Sequence, residues 1–436
     1  MTRSKNKRSF LMTSLFCALM WTLTCASQVE ARDLYVSPNG DGTTADTWKT
    51  AWKSFQAIDW TQVVSGDRII VDGGTAGVTY PGAFTIPVSG IVIQQAGGAN
   101  RKGPVSIVGS GQPVQTGVTI SGSNVRIIGN ARSGIKIASF GGECVRVLTN
   151  GNVLKNVRVG SVTGFPPYAG GRVGALVFGG VNNQFISCDF RDYTKCAVES
   201  PVAGVANVTV FRDCTFGNDG YGFWGVWGTG IYGARPGATA IDSTIHARKC
   251  VFGPILNKGI DVVQGKLSVG DSLFLGSNYA NISFEPANAG STAKAVVSNC
   301  TLYEPNYSGF SQYGMLLYNI STNGNGVFKI RDSIVYGGVV HVPATQLINA
   351  GNNFQYHVTG TTTAVAAGLV NPMFTAEAQL WAPVTPQTIS PKVWTTNSYA
   401  LDATSPAIGK GSSITLVTDI VPAYGPAGPL PPMGGP

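Results

Sequence analysis

Six copies of one short phrase constrain this chain more than any other feature. They read FISCDFRDY (185–193), VFRDCTFGND (210–219), HARKCVFGP (246–254), VGDSLFLGS (269–277), VSNCTLYEP (297–305) and KIRDSIVYGG (329–338). Aligned on Cys188, Cys214, Cys250, Ser272, Cys300 and Ser333, they keep an apolar residue two positions on: Phe190, Phe216, Phe252, Phe274, Leu302 and Val335. Three positions back stand Phe185, Phe211, Ala247, Val269, Val297 and Ile330, again all apolar. One position back stand Ser187, Asp213, Lys249, Asp271, Asn299 and Asp332, all polar. Alternation along two short strands joined by a bend accounts for this pattern, and a helical period does not.

The anchors lie 26, 36, 22, 28 and 33 residues apart. A fixed apolar phrase with filler of variable length marks a solenoid whose loops differ in size. The strands of one unit cannot bury their inward side chains alone; stacking units about 4.8 Å apart buries them as continuous columns. The expected fold class is therefore all-β, a right-handed parallel β-helix. Propeller blades repeat more evenly, at about 40 residues or more, and a sandwich has no reason to keep one small residue, Cys or Ser, on a ladder. Upstream, SNVRIIGNARSGIKI (123–137) and GNVLKNVRVGS (151–161) keep the alternation and an Asn near the bend, as earlier coils would. Residues 33–370 make on the order of a dozen coils at solenoid repeat lengths.

Composition agrees. With 43% hydrophobic residues, 12% charged and 57 glycines among 436, the chain is too apolar for disorder and suits strands broken by many turns. The start carries a basic MTRSKNKR, an apolar SFLMTSLFCALMWTLTCA and a small-residue VEA at 29–31. Residues 1–31 read as a secretory signal peptide cut at Ala31–Arg32, with an uncleaved anchor as the competing reading. A secreted, periplasmic or cell-surface chain without a membrane span after cleavage is expected. Cleavage lowers the formal charge from +8 to +5, and the basic residues are scattered, without the cluster a nucleic-acid binder shows. Six cysteines then remain, with no CxxC, and three histidines in all leave little for a zinc site. The cysteines of the ladder read as free, buried thiols.

The mature start, DLYVSPNGDGTTADTWKTAWKSFQAIDWTQVVSGDRIIVDGGT, offers a strand, a turn and a short amphipathic helix. Trp48, Trp52, Phe55 and Ile58 fall on one face of that helix, which would cap the open end of the solenoid. These elements resemble secreted proteins of the pectate-lyase-like, right-handed parallel β-helix superfamily, in which a YVSPxG strand-turn, a capping helix and a GDxIxVxxGTY strand recur. Here GGTAGVTYPGAF (73–84) inserts residues before Tyr80, and NPMF (371–374) and LDATSPAIGKG (401–411) look like the closing segments of the same proteins. The resemblance covers roughly residues 33–411, giving a signal peptide 1–31, a β-helix with its cap over 32–411, and a Pro/Gly-rich tail over 412–436.

The resemblance implies a polysaccharide as partner, bound in a groove along the parallel strands. It leaves the activity open. The paired Asp and Gly-His-Gly of polygalacturonases are missing, with His246, His341 and His357 in other contexts, and Arg235-Pro236 lacks the partners of the pectate-lyase signature. Alginate-lyase-like and chondroitinase-B-like members place a lysine base before a similar ladder phrase, where Lys258 stands here. One coil later they have an arginine, where NISFEPANAG (281–290) offers Glu285 instead. An exposed lysine on a turn is the competing reading of Lys258.

Counting from the anchors, Glu199 and Asp261 each lie eleven residues on, and Lys195 seven on, near the eight of Lys258. The expected catalytic set is Lys258, Asp261, Arg235, Glu285, Lys195 and Glu199. The longest spacer holds NDGYGFWGVWGTGIYGARPG (218–237), read as a loop whose Tyr221, Trp224, Trp227 and Tyr232 stack on sugar or pack down as a cover. Ca²⁺ is a possible cofactor, with Asp189, Asp192, Asp213 and Asp219 as candidate or merely solvated carboxylates. The leading expectation is a secreted carbohydrate-active protein of lyase type acting on an acidic polysaccharide. The alternative is a noncatalytic glycan-binding or structural β-helix.

Overall fold

A computed structural model describes residues 31–110, 115–160, 173–191, 195–199, 207–217, 229–233, 243–253, 256–263, 265–275, 277–286, 293–303, 318–322, 325–343, 345–356 and 403–407. Strands recur in a fixed cycle and every pairing between them is parallel, so each sheet is built from one strand per coil. Among the described residues sheet 1 has twelve strands, from Asp33–Val36 to Leu347–Ala350; sheet 2 has eleven, from Val78–Pro81 to Phe354–Tyr356; sheet 3 has ten, from Phe84–Ile86 to Val339–His341. The result is the right-handed parallel β-helix expected from the repeat.

The repeated phrase is the corner between sheets 1 and 2. Its polar position turns the chain with a single left-handed residue: φ is 52° at Ser187, 55° at Asp213, 54° at Lys249, 50° at Asp271, 51° at Asn299 and 49° at Asp332. Asn and Asp tolerate this conformation better than other L-residues, which explains the polarity of that position. Asn156 (φ 59°) makes the same turn upstream, so the Asn seen near the bend there belongs to the ladder. The anchors stack rung on rung, because the residue after each anchor donates its N–H to the carbonyl of the anchor before: Thr215 to Cys188, Val251 to Cys214, Leu273 to Cys250, Thr301 to Ser272 and Ile334 to Cys300.

Cys and Ser both serve at the anchor for a reason the sequence did not reveal. Each points a small donor at the carbonyl two residues back: Cys214 Sγ to Arg212 O (3.4 Å), Ser272 Oγ to Gly270 O (2.8 Å), Ser333 Oγ to Arg331 O (2.8 Å). Cys188, Cys214, Cys250 and Cys300 are free and buried, and burial pushes the Cys300 thiol up to about 12. Beside them the Phe column is a stack. Phe190–Phe216, Phe216–Phe252 and Phe252–Phe274 have ring centroids 4.9, 4.8 and 4.6 Å apart and nearly parallel planes, the rung spacing itself.

The cap departs from expectation. Among the described residues there is no α-helix; the segment holds one 3-10 turn, Phe55–Ala57. Trp52 is instead extended and bridges Val36, with Trp52 N–H donating to Tyr35 O and Ser37 N–H to Trp52 O. Thr47 and Thr50 bond to each other's backbone, the side-chain competition that disfavours a helix. The function of the cap survives the change: Trp52, Phe55 and Ile58 are buried, and the first strand's free edge is paired. The GDRIIV motif is structural too. Asp67 accepts from Arg32 and from Val64 N–H, Arg68 forks onto Asp33, and the buried Tyr80 hydroxyl donates to Asp72 O.

Candidate functional site on the outward face of sheet 3

Along sheet 3, Ile231, Ile260, Ile282, Ile320 and Val340 form one inward column. The next residue on each strand is turned away from the core, and these residues pair in register: Tyr232, Asp261, Ser283, Ser321 and His341. Written out, the strands read GIY, GID, NIS and NIS, a second ladder phrase. Sequence reasoning missed it, and with it Ser283, Ser321 and His341, although the repeated Ile was a readable signal.

Lys258 and Asp261 share one rung here, with Ser283 and Glu285 on the next and Ser321 on the one after. Lys258 Nζ lies 3.0 Å from Asp261 Oδ2 and donates to Ser283 Oγ at 3.0 Å. Ser321 Oγ donates to Glu285 Oε1 at 2.9 Å. Lys258 is thus not an exposed lysine on a turn; its side chain is 16% accessible and that of Asp261 13%. In a regular strand, residues three apart face opposite sides. The pairing slips between Leu256 and Lys258 against Ser277–Ala280, a β-bulge at the point where Lys258 turns toward Asp261. Gly259 between them is obligatory, since a Cβ there would stand 2.6 Å from Asn281 O.

The electrostatics of Asp261 are unlike those of the structural acids. In Asp67, burial is outweighed by Arg32 and two backbone N–H groups, and the carboxyl is held below its ordinary range. In Asp261, burial dominates and raises the carboxyl above its ordinary value. Lys258 and Ser283 oppose this, and the Glu285 charge reinforces it. Its second oxygen, Oδ1, is buried and accepts no hydrogen bond. A buried acceptor without a donor costs about 1–3 kcal/mol, and a raised carboxyl within an ion pair is a functional-site signature.

Lys195 pairs with Thr229, and Thr229 with Lys258, so the two lysine positions share a column two rungs apart. Glu199 does not share the position of Asp261. The strand at 229–233 carries one more residue than its partner between Lys195–Thr229 and Cys196–Ile231, so Asp261 follows Tyr232 and Ala197. Glu199 lies two residues further along, and equal counts from the anchors misled. Tyr232 belongs to the strand Thr229–Gly233 and not to a loop, half-buried one rung before Asp261. Tyr221, Trp224, Trp227, Arg235, Asp192 and Asp219 lie outside the described residues, as do residues 1–30 and the tail 412–436.

The donor set does not suit Ca²⁺. The Lys258 ammonium stands between Asp261 and Ser283, where a hard cation would have to sit, and no group of three candidate ligands occurs among the described residues. Asp189 is committed to Arg191 and Thr215. No described helix is long and apolar enough to cross a membrane.

The sequence matches no protein-family model and no curated protein. Among solved structures it is similar to the pectate lyase Pel9A, at TM-score 0.57 and 15% identity over 90% of this chain and 94% of that one. It is also similar to a rhamnogalacturonan lyase, at TM-score 0.50 and 14% identity over 88% and 97%. Taken with the three parallel sheets, these likenesses establish that the chain has the pectate-lyase-like right-handed β-helix fold.

Proposed function

We propose that the protein is a secreted carbohydrate-active β-helix that cleaves an acidic polysaccharide by elimination on the outward face of sheet 3. The observation that carries this reading is the cluster of Lys258, Asp261, Ser283, Ser321 and Glu285, packed from three consecutive rungs onto one face. The two solved structures compared above are both named as lyases. Elimination needs a base for the proton beside the uronate carboxylate and a positive charge to neutralise that carboxylate. Lys258 supplies the charge. Asp261, with its raised proton affinity, takes the proton beside the uronate carboxylate, the glycosidic C–O bond breaks to leave the unsaturated sugar, and solvent water protonates the departing oxygen; Tyr232 one rung away offers a ring to the neighbouring sugar.

The test incubates mature protein with polygalacturonate, alginate, heparinoids and chondroitin and follows the ultraviolet absorbance of the unsaturated uronate product. One substrate is expected to give a rise that Asp261→Asn and Lys258→Met each reduce by about 10²-fold or more. No rise on any of them would overturn the reading. The alternative, a noncatalytic glycan-binding or structural β-helix, is favoured by one observation: Lys258 is already paired with Asp261 within the cluster. It predicts glycan binding with no unsaturated product.

A further inference from the structure

Basic residues that are scattered along the sequence are gathered by the fold. The strands of sheet 1 carry Arg68, Arg126, Lys155, Arg212, Arg248, Lys266, Lys294, Lys329 and Arg331, against a single acid, Asp33. All nine are outward and partly or fully exposed, with the alternate residues buried in the core. Sheet 3 differs: its strands hold Arg146, Lys195 and Lys258 against Glu143, Glu199 and Asp261, an even balance. Sheet 2 lies between, with Lys136, Arg158 and Arg191 against Asp189, so the excess is concentrated on sheet 1.

Two features go beyond a solvated charged surface. Lys266 pairs directly with Lys294 on the next rung, and Arg212 with Arg248. Like charges directly opposite each other across two strands, about 4.8 Å apart, are destabilising. Neighbouring acids answer only part of this: Asp33 holds Arg68, Asp213 lies 4.0 Å from Arg212, Asp271 holds Arg248 and Asp332 holds Arg331. Lys266 and Lys294 have no such counterion among the described residues.

We propose that the outward face of sheet 1 is a binding surface for an acidic polysaccharide chain lying along the solenoid axis, separate from the sheet 3 site. A polymer with one carboxylate or sulfate per sugar presents charge at close to the rung spacing, so each rung pair meets successive charges and the repulsion between Lys266 and Lys294 is relieved on binding. Nucleic acid fits less well. The only aromatic residue on the outward side of these strands is Tyr35, and it packs on Trp48 of the cap with ring centroids 4.4 Å apart, which leaves no platform for bases. The surface does not depend on cleavage at sheet 3.

Affinity electrophoresis of the mature full chain in gels containing alginate, polygalacturonate, neutral glucan or no polymer tests this. Retardation by a polyuronate and not by glucan is expected, weakening as salt is raised. Lys266→Glu with Lys294→Glu should weaken it about tenfold or more, a larger loss than Lys258→Met gives. Lys266→Gln with Lys294→Gln, which adds no charge, should weaken it less and keeps the test open if the reversal variant does not fold. Equal retardation of folded wild type and both double variants would overturn the proposal. So would loss of retardation on Lys258→Met alone, which would place all binding at sheet 3, or displacement of the polyuronate by duplex DNA at lower charge concentration.

Discussion

The corner between sheets 1 and 2 and the outward side of sheet 3 are made by the same coils, yet one is regular and the other is not. At the corner a single left-handed residue recurs with φ within a few degrees from Ser187 to Asp332, and no pairing in sheet 2 slips. Sheet 3 slips at Val173/Leu176, Lys195/Cys196, Leu256/Lys258 and Tyr318/Ile320. Sheet 1 slips once, at Gly180/Asn183. The regular side sets the rung spacing for the whole tube. That leaves sheet 3 free to take bulges, which re-aim polar side chains such as Lys258 at the expense of ladder hydrogen bonds. The charged cluster therefore sits where the repeat is least faithful.

Removing a rung from the regular side is the most direct way to break this comparison. Phe216 stacks on both Phe190 and Phe252 at 0% exposure, so Phe216→Ala should cost about 3–5 kcal/mol, read as a lower denaturant midpoint. If the regular side were not the scaffold, the loss would stay within about 1 kcal/mol.

A smaller effect comes from His246 on sheet 1, whose Nε2 is buried without a partner and which burial lowers from 6.5 to about 4. The unfolded chain takes up a proton near pH 6.5 that the folded chain refuses until about pH 4. The unfolded state thus binds more protons across that interval, and stability rises with pH through it. Full stability is expected above pH 6.5, falling by about 3 kcal/mol toward pH 4. Denaturant midpoints at several pH values should show this slope in wild type and its absence in His246→Gln.

The smallest test sharpens the corner itself. Lys249, exposed at φ 54°, is the one corner residue that is neither Asn, Asp nor Ser. Lys249→Gly should stabilise by up to about 1 kcal/mol and Lys249→Val destabilise by about 1–2 kcal/mol, from the left-handed preference alone. Equal thermal midpoints for the two variants would mean that the corner is not what fixes the rung.

Much of the fold was legible because burial imposes it locally. Phe190, Phe216, Phe252 and Phe274 had to be apolar and equivalent, and the anchors had to be small, whatever the loops between them did. Asp261 and Lys258 were legible only as counts from Cys250, and such counts fail once a bulge intervenes, as it did for Glu199. The capping helix was misread from Trp48, Trp52 and Phe55 because an apolar period of that length fits an edge-pairing segment as well as a helix. Ser283 and Ser321 carry no charge to single them out, although their NIS phrases repeat.

By itself, the sequence determined that short strands stack with inward columns of Cys, Phe and aliphatic residues, because those side chains can leave water only in that arrangement. It could not determine which outward residues meet. Outward neighbours in a solenoid are a full coil apart in the chain, and their alignment is set by bulges and loop lengths. Only the tertiary structure brought Lys258 to Asp261, committed Glu285 to Ser321 and collected nine scattered cations on the face of sheet 1.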